Sequence, residues 1–272
     1  MLYQRWLETV RATGPQTALT DMAAGRSWTF QALANEAERG APASEPVLFA
    51  DATGAGFILA VLRAWRAGRI LCPLEPGQLP PGLTTGLPAG IAHLKFTSAS
   101  TGTPRVVALT GAQMAADADN IVASMGLRPD WPNIGVISLA HSYGFSNLVL
   151  PLLLHGIPLI LAEAALPEAL RRAAANQSCV TLAAVPALWR AWLEAGSIPP
   201  NIKLAISAGA PLPLPLEVAV FDRHRLKIHN FYGSSETGGI AFDGSAEPRT
   251  DAAFVGSPMA NVQVALAEDG CV

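Results

Sequence analysis

The chain has 272 residues, half of them apolar and 14% charged, which excludes a disordered chain and allows a large core in one or two domains. The formal charge is −3 and no dense run of basic residues occurs, so we expect neither a nucleic-acid partner nor an anionic membrane surface. The three cysteines are far apart and lack metal-ligand spacing, which favours reduced thiols and a cytoplasmic location.

No segment indicates secretion or a membrane span. The N-terminal residues carry charges and lack the unbroken apolar centre of a signal peptide. The longest apolar stretch, residues 148–162, is interrupted by Pro151, Gly156 and Pro158 and is too short for a bilayer. We therefore expect this stretch to lie in the core.

Strands and helices alternate along the chain. In order, the pattern predicts a strand at 46–51, a helix at 54–68, strands at 92–98 and 105–109, a helix at 110–126, strands at 133–139 and 157–162, a helix at 167–177, a strand at 179–185, a helix at 186–195, a strand at 202–207, a helix at 214–224 and a strand at 226–233. The strands are continuously apolar, as in sheets covered on both faces.

The predicted fold class is α/β, with mostly parallel sheets flanked by helices on both faces and two packed α/β subdomains. The approximate division is placed near residue 165, and a β subdomain is expected to start at about residue 254. The last predicted strand reaches an acidic turn at 268–270 and stops without a partner strand. This predicts that the chain is cut short at that point.

Residues 96–110, FTSASTGTPRVVALT, place a hydroxyl-rich loop between two strands. The helix after it has its own capping box, Thr110 with Gln113, and ends at Gly126. A Walker loop would run from strand directly to helix, so this loop is not one. Hydroxyls, backbone N–H groups at Gly102 and the charge of Arg105 suit a polyphosphate. An ordinary Ser/Thr-rich hairpin turn is the alternative.

Three further segments follow in order: HSYGF at 141–145, SAGAPLP at 207–213 and NFYGSSETGG at 230–239. Together with the loop, they resemble the motifs of the adenylate-forming (AMP-binding) superfamily, which includes acyl-CoA synthetases, adenylation domains of peptide synthetases and luciferases. TSASTGTPRVV resembles the family's phosphate loop TSGSTGxPKGV, SAGAPL its adenine-side loop and YGSSET its YGxTE segment. The resemblance covers essentially the whole chain. It implies that residues 1–272 are a truncated N-terminal domain of such an enzyme, without the family's small C-terminal domain.

The resemblance implies a site for ATP and Mg²⁺. The loop residues implied to hold the β- and γ-phosphates are Thr97, Ser98, Ser100, Thr101 and Gly102, with Arg105 where the family has lysine. The residues implied to hold the rest of the nucleotide are Gly209, Ala210 and Pro211 at adenine, Tyr232 stacked on the purine, Gly233 in the same segment, and Ser235 at the α-phosphate. Glu236 would hold Mg²⁺, and His141, with Phe145, would lie at the acyl pocket. The implied catalytic residues are His141, Arg105 and Glu236.

Each assignment has a structural alternative. Glu236 could satisfy N–H groups at a helix N-terminus, Tyr232 could be an ordinary strand aromatic, and His141 could be a structural hydrogen-bonding residue. A serine hydrolase is disfavoured, because neither GFSNL nor GSSET has the second glycine of a GxSxG elbow. Ala99 and Val106 replace glycines of the family loop, which would cause strain if either position needs a positive φ.

The implied reaction is ATP-dependent activation of a carboxylic acid to an acyl-adenylate, followed by transfer to a thiol of CoA or of a carrier-protein pantetheine. The acyl pocket is expected to combine HSYGF, the helix after AAVPALW and the SAGAP loop, which are apolar and favour a hydrophobic or aromatic acid. Asp222 and Asp243 are loose candidates for binding an amino-acid ammonium. The family's downstream aspartate and lysine are missing, so the 272-residue chain alone is expected to be weak or inactive. The alternative is a natural non-catalytic nucleotide- or acyl-binding relative or scaffold.

Overall fold

The structure is a computed structural model that describes residues 1–41, 44–80, 87–96 and 105–265. Its helices are α1 (Leu2–Thr13), α2 (Phe30–Arg39), α3 (Gly54–Arg66), α4 (Gly111–Met125), α5 (Ser142–Gly144), a π-helical turn (Phe145–Val149), α6 (Leu150–His155), α7 (Pro167–Ala174), α8 (Pro186–Glu194) and α9 (Leu214–His224). Its strands are β1 (Thr17–Asp21), β2 (Arg26–Thr29), β3 (Val47–Asp51), β4 (Ile70–Leu74), β5 (Ile91–Phe96), β6 (Val106–Thr110), β7 (Asn133–Gly135), β8 (Leu159–Leu161), β9 (Val180–Ala184), β10 (Ile202–Ser207), β11 (Ile228–Ser234), β12 (Gly238–Phe242) and β13 (Ser257–Pro258).

The larger sheet has nine strands in the order β13-β12-β11-β10-β9-β7-β8-β1-β2. Its six middle strands, from β11 to β1, are parallel to one another, whereas β12, β13 and β2 join its two ends in antiparallel pairs. Every residue of β7, β8 and β9 is buried, so these strands need no polar alternation. Because the six middle strands run parallel to one another, their carboxyl ends meet at one edge of the sheet.

The smaller sheet has the order β3-β4-β5-β6 and contains three parallel strands followed by one antiparallel strand. Strands β5 and β6 pair from Phe96–Val106 to Ile91–Thr110, so they flank the hydroxyl-rich loop as two arms of one hairpin. The loop itself, residues 97–104, lies outside the described residues. Val106 lies in an extended strand and is not a position with positive φ, so the strain considered there does not arise.

Helices cover both faces of the nine-stranded sheet. Alternate residues of β9 and β10 pack on opposite sides: Leu182 and Ala205 with the helices α7, α8 and α9, and Ala183 and Ile206 with α4. A third cluster joins α1, α2 and α3 to the π-helical turn and α6 between the two sheets. This confirms the α/β class with mostly parallel sheets.

The helix boundaries follow local sequence chemistry. Helix α4 begins with the predicted capping box, in which Thr110 and Gln113 bond reciprocally, and it ends at Gly126 with a left-handed φ of 64°. Helices α7 and α8 each begin at a proline, which tolerates the first turn because its missing N–H has no helical partner there.

Three predictions differ from the structure. The strand expected at 133–139 is shorter, because the chain leaves the sheet after Gly135 and enters the site. The strand expected after residue 254 is only Ser257–Pro258 within the described residues. No boundary between the sheets falls near residue 165, since β7 and β8, which precede it, pair in one sheet with β9, which follows it.

None of the helices in the described part of the chain has the length and apolar character needed to cross a membrane. The apolar stretch at 148–162 is instead buried in the π-helical turn, α6 and β8. Cys72 and Cys179 are free thiols, and burial raises the pKa of the Cys72 thiol to about 12, so it stays protonated.

Candidate nucleotide- and acid-binding site

A cavity of about 580 Å³ lies at the carboxyl ends of the parallel strands, where open α/β sheets commonly bind ligands. We call it the central cavity. Its walls are residues 136–138 after β7, residues 141–144, 146 and 147 of the following helical segment, Val185 and Leu188 after β9, Ala208 and Gly209 after β10, and residues 231, 233–235, 238 and 239 of the β11–β12 hairpin. Four separate chain segments therefore converge on one space.

Two glycines allow the backbone to line this cavity closely. Gly209 has a φ of 83°, a conformation that side chains with a Cβ rarely adopt. At Gly233 a Cβ would lie 2.6 Å from the carbonyl oxygen of Gly238 on the opposite arm of the hairpin. Both positions need glycine because of backbone geometry.

The β11–β12 turn is held by its own hydroxyls. The Ser234 hydroxyl accepts hydrogen bonds from the backbone N–H groups of Glu236 and Thr237, at 3.2 Å each. The Ser142 hydroxyl, at the start of α5, donates to Ser235 Oγ at 3.0 Å. The turn is thus fixed, and it is joined across the central cavity to the segment that follows His141.

His141 belongs to a hydrogen-bonded group that links the two sheets. Glu75, directly after β4, accepts a hydrogen bond from the Ser138 hydroxyl at 2.5 Å through its Oε1 atom. The same oxygen lies 3.2 Å from Nε2 of His141. The Ser138 hydroxyl in turn accepts from the backbone N–H of Ala140 at 3.1 Å. The imidazole is therefore tethered at one nitrogen at the edge of the central cavity.

A second cavity of about 390 Å³, the side cavity, adjoins the first across Ser146 and the Gly238–Gly239 turn. Its lining includes the charged residues Lys95, Asp117 and Glu236. Burial lowers the pKa of Lys95, while the charges of Asp117 and Glu236 oppose that shift. Asp117 Oδ1 also accepts the Gly239 N–H at 2.9 Å, which ties α4 to the hairpin turn.

The donor set in the side cavity is compatible with Mg²⁺. Glu236 is exposed, and its carboxylate makes no hydrogen bond with any described residue. Across the described ranges, no three His, Cys, Asp or Glu side chains cluster as a protein-only metal site would require. Mg²⁺ commonly binds one or two carboxylates and completes its coordination with phosphate oxygens and water. Glu236 fits that pattern when a nucleotide is present.

Buried polar groups without partners lie beside both cavities. Asn147 lines the central cavity from the π-helical turn, is 2% exposed, and neither polar atom of its carboxamide has a hydrogen-bond partner among the described residues. His93 is fully buried, and neither of its ring nitrogens has a hydrogen-bond partner in the part of the chain that the structure describes. Its ring centroid lies 4.3 Å from that of Phe145. Burial, and then the charge of Lys95, hold the pKa of His93 well below its usual range.

The structure brings some of the sequence-predicted site residues together. Those lining the central cavity are His141, Gly209, Gly233 and Ser235, and Glu236 lines the side cavity. Ala210, Pro211 and Tyr232 are exposed neighbours of these residues outside the two linings. Arg105 is exposed directly before β6, and Thr97, Ser98, Ser100, Thr101 and Gly102 lie outside the described residues.

The acyl-pocket segments predicted from the sequence, HSYGF, the start of α8 and the SAGAP loop, all contribute to the central cavity. Phe145 differs, because it packs between Phe57 and His93 and lines the side cavity instead of the central cavity. The ammonium candidates are also elsewhere: Asp243 is buried against Lys227, and Asp222 is exposed on α9.

Sequence reasoning did not find Glu75, Ser138, Lys95, Asp117 or Asn147. The one indication in the sequence that such residues belong to a site was Lys95, a charged residue inside a predicted apolar strand. The others depend on contacts between residues far apart in the chain, such as the pairing of Glu75 with Ser138.

The sequence profile of the family described as AMP-binding enzyme matches residues 84–271. The chain is 32% identical over 146 residues to a 4-coumarate–CoA ligase of Rhodobacter capsulatus, an alignment that covers 53% of this chain and 37% of that protein. It is 27% identical over 201 residues to a sulfoacetate–CoA ligase of Cupriavidus necator, covering 73% and 38% respectively. A feruloyl-CoA synthase of an Amycolatopsis species is 28% identical over 185 residues, covering 64% and 37%. The chain thus spans well under half of these relatives' length.

Solved structures show the same fold. An O-succinylbenzoate coenzyme A synthetase (MenE) from Bacillus subtilis in complex with AMP superimposes with a TM-score of 0.83 at 16% identity, over 98% of this chain and 83% of that one. ATP-bound MatB from Rhodopseudomonas palustris gives a TM-score of 0.82 at 17% identity, over 99% and 67%.

Proposed function

The chain belongs to the family of AMP-binding enzymes, and we propose that it is the nucleotide- and acyl-binding part of an acid–thiol ligase that uses ATP to activate a carboxylic acid. The observation that carries this proposal is the convergence of His141, Gly209, Gly233 and Ser235 on the central cavity, with Glu236 in the adjoining side cavity. These residues come from three motifs separated by up to 95 positions in the sequence.

In the first step, an oxygen of the substrate carboxylate attacks the α-phosphorus of ATP and forms a new P–O bond. The bond from that phosphorus to the bridging oxygen breaks, and pyrophosphate leaves with the electron pair. In the second step, the thiol sulfur of the acceptor attacks the acyl carbon, its proton passes to solvent, and AMP leaves. Catalysis of such steps depends mainly on positioning and on charge neutralisation.

The chain's own residues are assigned to these tasks by position. Ser235, held by Ser142, would donate to the α-phosphate, and Gly209 would let the backbone approach the adenine. Tyr232 would cover the purine, and the loop at 97–104 with Arg105 would bind the β- and γ-phosphates. Bound Mg²⁺, held by Glu236, would supply positive charge that offsets the charge building on the leaving pyrophosphate.

The acid is proposed to be hydrophobic or aromatic. Val136, Ile137, Val185, Leu188 and Phe231 give the central cavity a largely apolar wall. The relatives named for coumarate and ferulate support an aromatic acid, and all three support CoA as the acceptor. A carrier-protein pantetheine is the other acceptor with the same thiol chemistry. A cytoplasmic location is proposed with this function.

The test is a thermal-shift screen of carboxylic acids with ATP and Mg²⁺, followed by ATP–pyrophosphate exchange on the acids that bind. A ligand at 100 times its Kd should stabilise the folded chain by about 2.7 kcal/mol. Ser235→Ala should weaken the shift produced by ATP, whereas Glu194→Gln, on an exposed residue at the far end of α8 from Leu188, should leave it unchanged.

Two results would contradict the proposal at different levels. No stabilisation by ATP, AMP or any acid would reject a nucleotide and acid site. Stabilisation by nucleotide without pyrophosphate exchange would support binding and reject catalysis by this chain, as for a non-catalytic relative.

A further inference from the structure

Glu75 lies outside every motif that led to the proposed function, yet its carboxylate contacts the one histidine at the central cavity. It follows β4 of the smaller sheet, whereas Ser138 and His141 follow β7 of the larger sheet. Oε1 of Glu75 accepts from Ser138 Oγ at 2.5 Å and lies 3.2 Å from His141 Nε2. The two sheets are therefore joined at the edge of the cavity through a single carboxylate oxygen.

The position of Glu75 determines which ring nitrogen of His141 remains available to a ligand. Glu75 is an acceptor, and a histidine beside an acceptor carries its proton on the facing nitrogen, here Nε2. The Ser138 hydroxyl is occupied as well, since it donates to Glu75 and accepts from Ala140 N–H. Nδ1 is then the nitrogen left for a ligand.

Nδ1 is important for binding an anionic ligand because the described lining of the central cavity contains few ionisable side chains. Among the described residues that line it, only His141 and Tyr143 can titrate. Burial raises the pKa of Tyr143, whose hydroxyl donates to the carbonyl oxygens of Ala184 and Ile206 at 3.4 and 3.3 Å. Tyr143 therefore stays neutral and engaged with the backbone. His141 is the cavity-lining residue in the described part that can carry a positive charge.

We propose that Glu75 is a positioning residue that holds His141 by Nε2 and turns the Nδ1 edge of the ring towards the carboxylate of the acid substrate. The inference rests on the proposed function and adds a residue and an orientation to it. For histidines that bind a metal, removing a carboxylate that fixes the other ring nitrogen typically costs about 10–100-fold in metal affinity or activity, and we expect a loss of acid affinity of that order here. A purely structural link between the sheets would change stability without changing acid recognition.

The orientation is tested first, by long-range ¹H–¹⁵N NMR of the histidine rings at alkaline pH. The chain has five histidines, and His141→Gln identifies the relevant signals. The neutral ring of His141 should be the Nε2–H tautomer in the unsubstituted chain. Free histidine already favours this tautomer, so Glu75→Ala should lower the Nε2–H fraction of His141 only to that of free histidine. Glu75→Gln keeps an acceptor oxygen and should retain the higher fraction.

Recognition is tested with benzoate as the probe, in the presence of AMP. Benzoate should shift the His141 ring signals of the unsubstituted chain and bind Glu75→Ala about 10-fold or more weakly. AMP affinity should change by less than about 2-fold, and Glu194→Gln should match the unsubstituted chain throughout. Glu75→Gln should recover part of the benzoate affinity lost in Glu75→Ala.

An Nε2–H fraction of His141 that does not fall in Glu75→Ala would overturn the positioning role. Benzoate binding that leaves the His141 signals and the Glu75→Ala affinity unchanged would overturn the contact with the acid, as would a failure of benzoate to perturb His141 at all. Pyrophosphate exchange by the unsubstituted chain decides the proposed function separately, so the two failures can be told apart.

Discussion

Glu217→Gln is expected to destabilise the fold more than any exposed glutamate substitution. Glu217, on α9, is fully buried and faces two cations. Its Oε1 accepts from Lys227 Nζ at 2.5 Å and from the backbone N–H of Arg249 at 3.0 Å, and its Oε2 accepts from Arg249 Nε at 2.9 Å. Lys227 also donates to the buried carboxylate of Asp243 at 2.6 Å.

The magnitude follows from the charges that remain. Glu217→Gln leaves Lys227 paired with Asp243, but the buried guanidinium of Arg249 then has no carboxylate partner among the described residues. Its remaining acceptors are neutral: the backbone carbonyls of Leu212 and Phe254 and the amide oxygen of the new side chain. One buried positive charge is then uncompensated, which costs about 3–5 kcal/mol. Proteins are stable by about 5–15 kcal/mol in total. At about 2–4 °C per kcal/mol for a large domain, Tm should fall by roughly 6–20 °C.

The assay is urea unfolding followed by circular dichroism, with Glu8→Gln on the exposed face of α1 as the control. The control should stay within about 0.5 kcal/mol of the unsubstituted chain. Because Arg249 also holds the Leu212 carbonyl, three residues after Gly209, stabilisation by AMP should fall in Glu217→Gln as well. A loss of unfolding free energy below about 1 kcal/mol would refute the assignment of Glu217 as the counter-ion of both cations.

Three further predictions address the site and its surroundings. Gly233→Ala should lose about 1–3 kcal/mol of stability and bind ATP more weakly, because the added Cβ would lie 2.6 Å from the Gly238 carbonyl oxygen. The control in the thermal-shift assay is Gly56→Ala, where a Cβ meets nothing within 4 Å. Equal effects of the two substitutions would contradict the steric argument. Burial is the main cause that lowers the pKa of His93 in the folded state. Below the ordinary histidine pKa of 6.5, the unfolded chain therefore binds a proton that the folded chain does not. The free energy of unfolding should then fall by about 1.4 kcal/mol for each unit by which the pH is lowered. His93→Leu should remove that contribution from the slope of unfolding free energy between pH 6.5 and about 5, and an unchanged slope would show that His93 is not buried as a neutral ring. Asn147→Leu should raise stability by about 1 kcal/mol and alter the preference among acids, since the carboxamide is buried without partners; a lower Tm would mean that it has one.

Much of the fold could be predicted from local chemistry. Prolines at the start of α7 and α8, and the capping box of α4, identified helix starts within a residue or two. Continuous apolar runs identified the buried parallel strands. These features depend on neighbouring residues, which the sequence displays directly. Strand lengths near the site were predicted less well, because the chain leaves β7 early to form the cavity wall.

The candidate site, like the fold, could be predicted only in part from the sequence. Gly209, Gly233 and Glu236 could be predicted because they lie in short segments that resemble the motifs of a known family. The partners of those residues could not be found from the sequence. Lys95 and Asp117 reach the side cavity from β5 and α4, which are brought beside the β11–β12 turn only by packing.

The sequence by itself determined the class of fold and the family, since both are encoded in short runs of residues, and it predicted the segments that are proposed to face a nucleotide. Only the tertiary structure decided the order of strands in the larger sheet, the division of the site into two adjoining cavities and the pairing of Glu75 with His141. The physical reason is that these depend on contacts between residues tens of positions apart. Such contacts are set by how the helices and sheets pack, and the local pattern along the chain does not specify them.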